Sequence, residues 1–104
     1  MRFLLRAELG MAKANAAFTD GTLGDTIHAI LEQIKPEAVY FGLSNGNRTM
    51  FAIVHLDDAS QMPAIAEPLF LKFDAKLEVI PVMTPEDLGK AMATVGGIAR
   101  KFGG

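Results

Sequence analysis

A two-stranded hairpin between Glu37 and Leu56 constrains this sequence more than any other stretch. Two apolar runs meet at Asn45-Gly46, a strong hairpin signal because a type I′ turn needs positive φ at both central residues. With that pair at the turn, Phe41 lies opposite Met50. Both faces of the hairpin are mostly apolar, whereas a solvated sheet face is polar at every second position. The sequence therefore predicts a hairpin that is covered on both sides.

The other elements follow from periodicity and from helix-start signals. The clearest start is Thr84-Pro85-Glu86-Asp87, since threonine can cap, proline suits the first turn, and acids favour the N-terminal end of a helix. The predicted elements are strand Arg2–Leu9, helical Met11–Ile34 interrupted between Thr19 and Gly24, the hairpin, a helix after Asp57 with a kink or break at Glu67-Pro68, strand Ala75–Met83, and a last helix with a buried stripe of Leu88, Ala91, Met92, Val95 and Ala99. The order β-α-β-β-α-β-α predicts an α+β fold, a single ferredoxin-like domain over 1–104 with one antiparallel four-stranded sheet and an extra C-terminal helix.

The two faces of this predicted sheet differ in composition. The helix-covered face is expected to hold Phe3, Leu5, Val39, Phe41, Met50, Ala52, Leu77 and Val79. The opposite face, called the open face below, holds Leu4, Arg6, Glu8, Tyr40, Phe51, Ile53, His55, Glu78 and Ile80. It is too apolar for water, so we expect a second copy of the chain to dock on it and form a homodimer.

Composition excludes several classes of function. Hydrophobic residues make up 50% of the 104 residues, a surplus that fits a buried interface. The net charge is −2 with no basic run, which argues against nucleic acid as a partner. The chain has no cysteine, and its two histidines lack metal-site spacing, so neither a metal nor a cofactor is expected. The first ten residues are too short and too charged for a signal peptide or a membrane span, which predicts a cytoplasmic protein with no membrane partner.

Several segments between Lys35 and Met92 carry a resemblance to a known group. They are the turn Gly46-Asn47-Arg48-Thr49, the helical Glu67-Pro68-Leu69-Phe70 and the run Pro81-Val82-Met83-Thr84-Pro85-Glu86-Asp87-Leu88. With them, the chain resembles small uncharacterised bacterial proteins of the dimeric α+β barrel superfamily. The resemblance implies that two four-stranded sheets close into an eight-stranded barrel. The superfamily includes cofactor-free monooxygenases, isomerases and haem enzymes as well as members with no known activity, so the resemblance brings no catalytic residues.

Three side chains are the candidates for catalysis. Tyr40 and His55 share a predicted face and can act as an acid–base pair, or can form an interface hydrogen bond. Glu67, beside Pro68, can point into a cleft as a base, or can accept hydrogen bonds from freed backbone groups. His28 reads as a surface residue of its helix.

Two side chains are the candidates for ligand binding. Arg48 follows the turn and can hold an anion with two hydrogen bonds, but a post-turn arginine is more often solvated or paired with a cross-strand acid. Asn15 and Asp20 flank the interrupted first helix, where loops often form the mouth of a pocket, although Asp20-Gly21 also suits an ordinary turn.

Three hypotheses for function follow. The first is a homodimeric α+β barrel that binds a small, partly apolar molecule between sheet and helices. The second is a cofactor-free monooxygenase-like or isomerase-like enzyme that uses Tyr40, His55 and Glu67 around one cavity. The third is a purely structural or assembly module with no cavity. The sequence alone does not decide whether the protein is an enzyme.

Overall fold

The computed structural model describes residues 1–104, and the chain folds as an α+β protein with one sheet. The elements are β1 Arg2–Glu8, α1 Met11–Asp20, α2 Leu23–Ile34, β2 Ala38–Ser44, β3 Asn47–His55, a short 3₁₀ turn Ala59–Gln61, α3 Met62–Phe73, β4 Lys76–Pro81 and α4 Pro85–Phe102. The order β-α-α-β-β-α-β-α differs from the predicted one because the first helical segment is divided into two separate helices. Gly21, at φ 82°, ends α1 and produces this division.

The four strands form one antiparallel sheet in the order β2-β3-β1-β4, which is compatible with the ferredoxin-like arrangement. The predicted hairpin register is confirmed, since Phe41 pairs with Met50. Asn45 at φ 54° and Gly46 at φ 74° both have the positive φ values of a type I′ turn. The second strand of the hairpin lies inside the sheet between β2 and β1, which makes the hairpin the framework for the rest of the fold.

The core lies between one face of the sheet and helices α1 to α3. Its central side chains are Leu5, Ala7, Leu9, Ala14, Ile30, Met50, Ala52, Val54, Leu69, Phe73 and Ala75. Phe3, Val39, Leu77 and Val79 pack against this cluster, as predicted for the helix-covered face. Of the predicted kink or break at Glu67-Pro68, the break is wrong, because α3 continues through Pro68 to Phe73. The buried anchors Leu69 and Phe73 follow the proline directly, and their burial outweighs the lost backbone hydrogen bond.

The last helix departs most from expectation. Its start is as predicted, because the Thr84 hydroxyl accepts from the Asp87 N–H at 3.1 Å and the Asp87 carboxylate accepts from the Thr84 N–H at 3.1 Å. The predicted burial is wrong, because no side chain of α4 is buried within the chain. The helix runs uninterrupted through Gly96-Gly97 and leaves the protein elongated, with extents of 59 × 27 × 20 Å. No helix in the chain has the length and apolar character needed to cross a bilayer.

Candidate functional site

A pocket of about 260 Å³ opens between the β2–β3 hairpin and the helices, and we call it the Arg48 pocket. It is lined by Leu9, Ile27, Phe41, Gly42, Arg48 and Thr49. Leu9, Ile27 and Phe41 also line a narrow apolar space directly beside it, which reaches core side chains such as Met50 and Phe73. The walls of the pocket are therefore mostly apolar, and Arg48 is the only cation among them.

Arg48 is held in place by two neighbours on α1. Its Nη1 donates a hydrogen bond to Asn15 Oδ1 at 2.9 Å. Its guanidinium carbon also lies 5.7 Å from the centroid of the Phe18 ring, within the range of a cation–π contact. A guanidinium carries five N–H donors, and this bond uses one of them. The side chain is therefore oriented before any ligand arrives and retains donors for an anion.

The position of α1, and so of Asn15, depends on a close approach at Gly10. The Gly10 N–H donates to the Phe73 carbonyl at 2.7 Å, and a Cβ on Gly10 would lie only 2.5 Å from that oxygen. Glycine therefore lets the start of α1 lie directly against the end of α3. The same packing fixes the position of α1 against the sheet, and in this position Asn15 accepts the hydrogen bond from Arg48.

A second polar cluster lies on the open face at the turn end of the hairpin. Glu8 accepts hydrogen bonds from Asn45 Nδ2 and Asn47 Nδ2, each at 3.3 Å, and its Oε2 lies 3.0 Å from Arg6 Nη2. Arg6 crosses β3 to donate to the Ser44 hydroxyl. The bonds from Asn47 and Asn45, with the charge of Arg6, lower the pKa of Glu8 below its ordinary value of 4.5. The cluster satisfies its own polar groups, since no buried side-chain nitrogen or oxygen lacks a partner.

The three candidate catalytic side chains do not converge on one cavity within the chain. Tyr40 pairs with Phe51, and His55 lies four residues further along β3, which places the two about 13 Å apart at the usual strand rise. The Nε2 atom of His55 instead lies 3.1 Å from Asp57 Oδ1. Glu67 lies on the other side of the sheet, in a groove between α3 and β4 that Phe70 and Leu77 also line.

The remaining sites carry less chemistry. An open groove of about 530 Å³ runs between α2 and α3, but neither of its charged side chains, Asp25 and Lys72, is held by a side-chain hydrogen bond. His28 is exposed and pairs with Glu32 one turn along α2, at 3.0 Å. No three His, Asp or Glu side chains are grouped as a metal site would require.

Asn15 and Arg48 are both predicted from the sequence to bind a ligand, and the fold brings them into contact although they are 33 positions apart. Phe18, Ile27 and the close approach at Gly10 are not predicted from the sequence. The helical spacing of Ile27 indicates an inward-facing apolar residue, but its place in the pocket lining depends on how α2 packs on the sheet. Gly10 read as a strand stop, and nothing local to it indicated the carbonyl of Phe73.

These features define an α+β protein with an open four-stranded sheet and a half-open pocket around one oriented arginine. Residues 1–96 match the family model DUF3303, described as a domain of unknown function. This match covers most of the chain, which therefore belongs to the DUF3303 family. No curated protein matches the chain.

Proposed function

We propose that this protein binds a small, partly apolar anion in the Arg48 pocket. The observation that carries the proposal is one cation, oriented by Asn15 and Phe18, at the edge of an otherwise apolar cavity. Ligand pockets are mostly apolar, with a few placed polar groups that fix the orientation of the ligand. At about 260 Å³ the pocket lies just below the usual range of about 300–1,000 Å³, which favours a molecule of metabolite size.

The chemistry of the pocket specifies the charge of the ligand. The free donors of Arg48 favour a carboxylate or a phosphate, which a guanidinium can hold with two parallel hydrogen bonds. Leu9, Ile27 and Phe41 offer an apolar wall to the remainder of the ligand. The lining holds no carboxylate or histidine to act as a general base, and the hydroxyl of Thr49 donates to the Asn47 carbonyl at 3.0 Å, so binding rather than catalysis is the function that these groups support best.

We propose further that two copies of the chain dock through their open faces, as in a dimeric α+β barrel. Tyr40 is 71% exposed and Ile80 39% exposed on this face of a single chain. Leu4, Phe51 and Ile53 lie between them across the strands and make this half of the face apolar. The other half holds the Glu8 cluster, whose internal hydrogen bonds allow it to be covered without leaving unpaired groups.

The ligand proposal is tested with benzoate, phenyl phosphate and neutral benzamide as probes. Amide chemical shifts are followed by NMR during each titration. We expect the two anions to shift the signals of Leu9, Ile27 and Phe41 and to bind at least about tenfold more tightly than benzamide, since hydrogen bonds to charged groups contribute about 1.5–3 kcal/mol.

Arg48→Gln is the variant that removes the cation, and Arg100→Gln on α4 is the matched control. The first is expected to abolish the preference for anions and the second to leave it unchanged. Binding that ignores the charge of the probe, or that survives Arg48→Gln, would refute the proposed site. A titration up to about 10 mM without any shift at the pocket would do the same, because it would leave a binding free energy weaker than about −2.7 kcal/mol.

A further inference from the structure

The last helix, α4, is the least packed element of the protein. It has 18 residues, no buried side chain and only sparse contacts with the other elements. Met92 is 62% exposed and Phe102 74% exposed. Three glycines, Gly89 and Gly96-Gly97, further disfavour the helix, and most of the stability of a helix in a protein comes from the packing of its apolar face. A helix with this composition needs a surface to pack on.

The apolar side chains of α4 form a stripe whose positions are symmetric about its centre. The stripe consists of Leu88, Ala91, Met92, Val95, Ile98, Ala99 and Phe102. Val95 is its centre, and each other position has a partner equally many residues away on the other side of Val95. Leu88 and Phe102, for example, each lie seven residues from Val95. At 3.6 residues per turn, the seven positions fall within about 120° of the helix surface. A two-fold axis at Val95 therefore places the stripe on a copy of itself, which an isologous contact requires.

The charges of α4 select the direction of such a pair. Glu86 and Asp87 lie in the first turn, and Arg100 and Lys101 lie in the last. Asp87 and Lys101 also flank the same side of the apolar stripe. Antiparallel pairing brings the acidic end of one helix to the basic end of the other, whereas parallel pairing sets like charges together. Opposite charges beside an apolar seam are the usual determinants of helix orientation.

We propose that α4 is a self-association arm, which pairs antiparallel with α4 of a second copy of this chain, Val95 facing Val95. This contact is separate from the sheet-face contact, because it uses a different surface. A helix of 18 residues is about 27 Å long and about 10 Å wide, so the pair covers about 540 Å² on the two helices together. A stable interface needs about 1,000 Å², so the arms pair weakly by themselves and are suited to joining dimers that the sheets already form.

Single-cysteine variants test the pairing, because the chain has no cysteine of its own. Val95→Cys lies at the centre of the stripe, and Ala93→Cys lies two residues away, on the opposite side of the helix. We expect a short bis-maleimide reagent to join two Val95→Cys chains at least tenfold faster than two Ala93→Cys chains. Circular dichroism serves as the folding control, and we expect both variants to retain the helix content of the wild type.

A third variant, Gly104→Cys, reports the direction. Antiparallel arms place the two copies of residue 104 at opposite ends, about 27 Å apart, beyond the reach of the reagent. Equal cross-linking rates for Val95→Cys and Ala93→Cys would overturn the pairing. Such equal rates are the result expected if α4 docks on the body of another chain or on a different protein. Rapid joining of Gly104→Cys chains would overturn the antiparallel direction. Neither result bears on the Arg48 pocket, so failure here is distinct from failure of the proposed ligand site.

Discussion

Substitution of Gly10 tests how the packing of the helices supports the pocket. In Gly10→Ala the new Cβ would lie 2.5 Å from the Phe73 carbonyl oxygen, whereas ordinary contact begins at 3.4 Å. The start of α1 must therefore move by about 0.9 Å away from α3. The obstacle is backbone rather than the tip of a flexible side chain, so this movement strains the fold. Overpacking of this kind costs about 1–3 kcal/mol.

The free energy of unfolding is measured by urea titration, with thermal melting as a second readout. A loss of about 2 kcal/mol lowers the melting temperature by about 8–16 °C in a domain of this size. The displacement of α1 also lengthens the 2.9 Å bond between Asn15 and Arg48, so binding of benzoate should weaken in the same variant.

The matched control is Gly24→Ala in α2. A Cβ on Gly24 meets nothing within 4 Å, so the same substitution there is expected to raise the free energy of unfolding by about 0.5–1 kcal/mol through helix propensity. If Gly10→Ala is as stable as the wild type, or if the two variants change stability in the same direction, the close approach of α1 and α3 is not as described.

Two further predictions concern stability. The pKa of Glu8 is lowered in the folded chain, so the stabilisation that its carboxylate provides is fully present above the ordinary value of 4.5 and is lost as pH falls through the lower folded pKa. Glu8→Gln should therefore be less stable than the wild type at pH 7, and the difference in free energy of unfolding should shrink in urea titrations at pH 3. Pro68→Ala restores a backbone N–H inside α3 and should raise the free energy of unfolding, measured by urea titration, by about 1–3 kcal/mol. An unchanged free energy of unfolding would show that the proline does not destabilise α3.

Local signals in the sequence were sufficient for the hairpin and for the start of α4. The turn at Asn45-Gly46 fixes the register of its own two strands, because positive φ at both positions leaves few alternatives. The cap at Thr84 likewise depends on residues three positions apart. Both are short-range features, and both appear in the structure as the sequence predicts.

Longer-range features could not be obtained in this way. Pro68 predicts a kink or a break from its local cost alone, whereas the burial of Leu69 and Phe73 against the sheet keeps α3 continuous. The stripe of α4 was predicted to be buried, and periodicity correctly identified an apolar face. Periodicity does not say whether an apolar face packs within its own chain, and here it does not.

The candidate site follows the same division. The residue types of Asn15 and Arg48 suggested ligand binding, but their contact arises from the packing of α1 on β3, across 33 positions of sequence. Tyr40 and His55 share a face, as alternation predicts, yet the register separates them along β3. Alternation assigns a side chain to a face of the sheet, and only the full strand pairing gives its position on that face.

We propose that the sheet is covered on both faces, by its own helices on one and by a second copy of the chain on the other. Sedimentation equilibrium at low micromolar concentration, on the wild type and on Tyr40→Glu, measures whether that second copy is present. We expect a mass of at least two chains for the wild type, since α4 can join dimers, and 11.2 kDa for Tyr40→Glu, which places a charge in the apolar half of the open face. A wild type of 11.2 kDa, or a Tyr40→Glu variant that keeps the mass of two chains, would contradict it.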